Sequence, residues 1–141
     1  MFDAFFSKVN MKRWWMTAGA VFAWIFVSDM LIHGFFLKDV YQQTANLWRT
    51  QEDMSHFMGW MTGGQAMAAL WGSFIFTKGY ENKGWKEGAR FGLLLGFFMI
   101  SHFFIQFATT PMPMSLFWSW TWTGMIQCVG AGVVASFVYK K

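Results

Sequence analysis

Residues 14–37 read WWMTAGAVFAWIFVSDMLIHGFFL. The run exceeds the roughly 20 apolar residues that a helix needs to cross a bilayer. It is too long for the apolar part of a signal peptide and lacks a small-residue cleavage pattern, so it is expected to persist as a membrane helix. Two residues interrupt it. Asp29 and His33 lie four apart, which puts them on one helical face. Ionisable groups at such depth are costly, so the pair marks an inward-facing or functional position.

Three more runs reach a similar length, at 56–77, 88–108 and 115–139. The expected fold is therefore an all-α membrane protein, a single integral domain over residues 1–141. Four transmembrane helices would form an up-down bundle. The composition agrees: 55% of residues are apolar, 22% aromatic and 13% charged. Soluble domains carry about 25% charged residues. The net charge of +4 forms no basic face, so it reads as a topology signal and not as a nucleic-acid footprint. Nine of the eleven Lys and Arg residues flank the runs on one side, at Lys8, Lys12, Arg13, Lys78, Lys83, Lys86, Arg90, Lys140 and Lys141; only Lys38 and Arg49 fall on the other. The positive-inside rule then places both termini in the cytoplasm. The single cysteine, Cys128, excludes an intrachain disulfide and a multi-cysteine metal site.

The connecting segments carry local signals. Phe2, Phe5, Phe6 and Val9 have helical spacing and predict a short interfacial helix before the first span. Residues 39–50 predict another, on the outer membrane surface. Thr50 with Asp53 forms a capping box, which starts the next helix near Gln51. Pro111 and Pro113 make the last connection a tight hairpin. Arg90 is expected to snorkel to headgroups or pair with Glu87.

Lipid tails give helices no hydrophobic reason to associate, so close backbone approach matters. Small residues recur every four positions at Gly59 and Gly63, at Gly64, Ala68 and Gly72, at Gly88, Gly92 and Gly96, and at Gly124, Cys128, Gly132 and Ser136. These stripes suit either a tight bundle or docking to other subunits. Trp14 and Trp15 fit the inner membrane boundary, and Trp118, Trp120 and Trp122 the outer one. The twelve methionines are scattered as adaptable packing rather than as a copper-binding run.

On this topology Asp29, His33, His102 and His56 all fall in the outer half. Three readings stand. The four are buried polar groups that hydrogen-bond between helices, with Gln65 and Gln127 as further interhelical glue. Alternatively His33, His102, Asp29 and His56 ligate a metal, or a histidine pair holds haem. Or Asp29 and a histidine relay protons or contact a polar headgroup or quinone-like molecule.

The stretch Ser28-Asp29-Met30-Leu31-Ile32-His33-Gly34, then Leu37-Lys38-Asp39-Val40-Tyr41 and Leu47-Trp48-Arg49, resembles small, uncharacterised four-helix bacterial inner-membrane proteins. The resemblance covers most of the chain. It implies the same topology and singles out Asp29, His33 and Tyr41, without implying a reaction. Small size, glycine stripes and the lack of a catalytic motif lead to the expectation of a non-catalytic accessory subunit of a larger membrane complex. The competing expectation is a binding protein with a metal, haem or quinone-like ligand in the outer half.

Overall fold

The computed structural model describes residues 6–140. Among these the chain folds into α1 (Met11–Leu31), α2 (Lys38–Gln43), α3 (Gln51–Lys78), α4 (Trp85–Thr109) and α5 (Met114–Val138), with no strand. A π turn over Ile32–Phe36 continues α1, and a 3-10 turn over Ala45–Leu47 follows α2. Of the proposed N-terminal interfacial helix, Phe2 and Phe5 lie outside the described residues, as does Lys141 of the basic tail. Phe6 packs edge-on against Phe74 at 5.3 Å between ring centroids.

Two helices, α1 and α3, start on a side-chain cap. The Asn10 side chain accepts from Arg13 N at 3.1 Å, and Thr50 Oγ1 from Asp53 N at 3.1 Å. Both occupy orphan donors of a first turn. Gly84 precedes α4 with φ of 69° and ψ of −152°, a conformation that favours glycine. Pro113 precedes α5, where its fixed φ suits entry into a helix. The buried Glu87 carboxylate holds the loop before α4, accepting from Glu81 N at 2.6 Å and Lys83 N at 2.7 Å. Arg90 pairs instead with Glu81, at 2.9 Å.

The expectation of four transmembrane helices is not met: among the described residues three helices qualify as candidate spans. The segments 11–36, 85–109 and 114–138 are long and apolar enough to cross a membrane. The second expected span is not among them. With 28 residues α3 has the length. Residues 51–65, however, carry Gln51, Glu52, Asp53, Ser55, His56, Thr62 and Gln65 and three glycines, which dilute its apolar character below that of a lipid-crossing helix.

The helices pack in the order α4, α5, α1, α3. The contact between α4 and α5 is backbone on backbone. A Cβ on Gly88 or Gly132 would collide with the other's carbonyl oxygen, and one on Gly92 with that of Cys128. Packing at this range supplies dispersion contacts, which hold helices together where water is absent. The main core lies at the basic end, around Trp14, Val21, Phe74, Phe76, Ala135 and Tyr139. The start of α1 and the end of α5 meet there, with Asn10 N donating to Tyr139 Oη at 3.2 Å. The burial of α3 is one-sided along its length. Ala69, Ser73, Phe74, Phe76 and Thr77 are buried, whereas over residues 55–68 only Thr62 and Gln65 are even half-buried.

Candidate functional site

The far end of the bundle buries Leu37, Met112, Leu116 and Phe117 and is joined across its helices by polar side chains. Its centre is Asp29. Gln127 Nε2 of α5 donates to Asp29 Oδ1 at 2.7 Å, and Gln65 Nε2 of α3 donates to Oδ2 at 2.5 Å. One carboxylate of α1 thus collects an amide from each neighbouring helix. Gln127 is held three times more, once by Nε2 donating to Ile25 O at 3.4 Å. Its Nε2 lies 2.8 Å from Ser28 Oγ, and its backbone carbonyl accepts from Trp24 Nε1 at 2.9 Å. Trp24 lies against Gly130, where any Cβ would overlap the indole. Among the described residues no buried polar side-chain atom lacks a partner.

One turn further along α1, the π turn begins. Leu37 N reaches back to Ile32 O at 2.8 Å, five residues away. His33 sits in this widened turn. Its Nε2 is 3.7 Å from Asp29 Oδ1, beyond hydrogen-bond range, and its Nδ1 is 2.6 Å from Tyr41 Oη. Tyr41 Oη also accepts from Trp120 Nε1 at 2.8 Å. An indole N–H only donates. Tyr41 therefore has its own proton and one lone pair left. The arrangement that suits all three groups has Tyr41 donating to His33 Nδ1, so that neutral His33 carries its proton on Nε2, facing Asp29.

Burial pushes the Tyr41 phenol above its ordinary value; the Asp29 charge adds to this and the Trp120 donor opposes it. Trp48 encloses the site, its ring 5.5 Å from Tyr41 and 5.8 Å from Trp120. Beside His33 lies a cleft of about 190 Å³. Ile32 and His33 of α1, Phe103 of α4, and Trp120, Thr123, Gly124 and Gln127 of α5 line it.

Of the four residues expected to cluster, the structure brings together Asp29 and His33. His102 is exposed on α4 and His56 is exposed on α3, both outside the network. No group of three or more His, Cys, Asp or Glu residues among those described is placed to hold a metal. The glycines also divide. Gly88, Gly92 and Gly132 interlock α4 with α5, Gly96 faces Met125, and Gly124 faces Phe103. Gly59 and Gly63, with Gly64 and Gly72, have open space where a side chain would be. The sequence does not single out Trp120, Trp24 or Gly130 for this network. Trp120 reads as part of an aromatic belt. Trp24 and Gly130 fit no four-residue repeat; the available signal was an indole N–H deep in an apolar run, which requires an acceptor.

No family profile, curated protein or solved structure matches the chain.

Proposed function

We propose that the protein is a non-catalytic accessory subunit that stabilises a larger membrane complex. We place it in a bacterial cytoplasmic membrane, with the basic end facing the cytoplasm. The supporting observation is the uncovered first half of α3. Between residues 55 and 68 none is buried and only Thr62 and Gln65 are half-buried, although Gly59, Gly63 and Gly64 offer a smooth surface and Trp60 is 81% exposed. Helices associate in lipid through such close-approach surfaces and through polar side chains. A neighbouring subunit's helix would complete the packing that α1 supplies only at the other half. His102 adds to this, because an exposed imidazole on an apolar helix gains by meeting a polar partner. On this reading the Asp29 network sets the register of α1, α3 and α5.

The test is a photo-crosslinking amino acid at Trp60, activated in native membranes, with native mass measurement after gentle extraction. The expected result is a crosslink to a defined protein subunit and a co-purifying mass. A protein that extracts as a functional monomer, crosslinked to lipid alone, would sink the proposal.

A further inference from the structure

We propose that the cleft between α1 and the α4–α5 hairpin binds the head of a neutral, membrane-soluble ring molecule carrying carbonyl oxygens, the chemistry of a quinone. Size is the first argument. At about 190 Å³ the cleft is smaller than the roughly 300–1,000 Å³ of pockets that enclose a whole ligand. It accommodates a head and leaves a tail to the lipid.

Hydrogen bonding is the second argument. Tyr41 occupies His33 Nδ1, and Asp29 Oδ1 is 3.7 Å from Nε2. The Nε2 proton is thus a donor without a close acceptor, on a side chain that is 45% exposed and lines the cleft. A carbonyl oxygen completes it. The walls are apolar and aromatic, from Ile32, Phe103 and Trp120. A Cβ on Gly124 would approach Phe103 to 3.0 Å, so glycine keeps this side open.

Charge selects among amphiphiles. No Lys or Arg lines the cleft, and a carboxylate lies behind His33. A phosphate headgroup would meet repulsion with no counter-charge, whereas a neutral carbonyl meets none. The π turn that presents His33 belongs to a class of distortion found often at functional sites.

The full-length protein in nanodiscs, labelled with an azido-benzoquinone bearing a decyl tail, tests this. The expected result is saturable labelling of peptides containing His33 and Trp120, displaced by unlabelled decylbenzoquinone and not by excess phosphatidylglycerol. His33→Ala and Gly124→Leu should each weaken that displacement at least tenfold; Gly124→Ala, with one added methyl, is the milder variant should Gly124→Leu not fold. Diffuse, unsaturable labelling overturns the proposal. So does displacement by phosphatidylglycerol, which would mark a phosphate site, or unchanged displacement in the variants.

Discussion

Asp29 costs energy in an apolar helix, and its surroundings are arranged to offset that cost. Each carboxylate oxygen receives a side-chain amide, one from α3 and one from α5. Hydrogen bonds to charged groups contribute about 1.5–3 kcal/mol in general, whereas interhelical bonds within membranes average nearer 0.6 kcal/mol. Asp29→Ala should therefore lower stability by about 1–2 kcal/mol. The informative measurement is a double-mutant cycle with Gln127→Ala, read by unfolding in mixed micelles. The two losses should be less than additive, because either substitution breaks the same bond. Strict additivity would refute the clasp. Tyr41 makes a separate prediction. Its folded value is raised, so its stabilising contribution is full below the unfolded value near 10.0 and is lost as pH rises through the higher folded value. The phenolate absorbance of the native protein minus that of Tyr41→Phe should titrate above 10.0. A midpoint below that would contradict its burial.

At the scale of helices, the same glycine spacing serves two purposes. In α4 and α5 it lets backbones touch; in α3 it faces open space. Gly92→Leu should cost about 1–3 kcal/mol or more, because its side chain enters the Cys128 backbone, which has no rotamer to yield. Gly63→Ala should leave the isolated protein unharmed, or stabilise it by up to about 1 kcal/mol through helix propensity. Thermal unfolding in detergent compares them; equal losses would mean that the α3 glycines are packed after all. The sequence distinguishes neither case, since a four-residue repeat states that a smooth face exists and not what covers it. Helix starts were more legible. Thr50 with Asp53 and Pro113 act locally, so their caps stand where the chain reads them. The fate of His102 and His56 was not legible, because matching depth places residues at one level without fixing which way each helix turns.

Across the whole molecule, packing is uneven. The basic end has an aromatic core, the other end has a polar clasp, and the first half of α3 touches the clasp chiefly through Gln65 at its end. Counting apolar runs suggested four equivalent spans, but α3 differs from the others in composition and in cover. A helix built this way gains its protection from outside the chain if it gains it at all. Hydrogen exchange separates the two ends of α3. In detergent, amides at 55–64 should exchange faster than those at 69–77, which share the buried core. In native membranes that difference should narrow, because a partner helix excludes solvent from the glycine face and raises the cost of local opening. Vesicles holding only this protein and lipid are the deciding control. If lipid alone closes the gap, the bilayer is sufficient cover and no subunit is required. If the gap persists in pure lipid and closes only in native membranes, the missing neighbour is a protein.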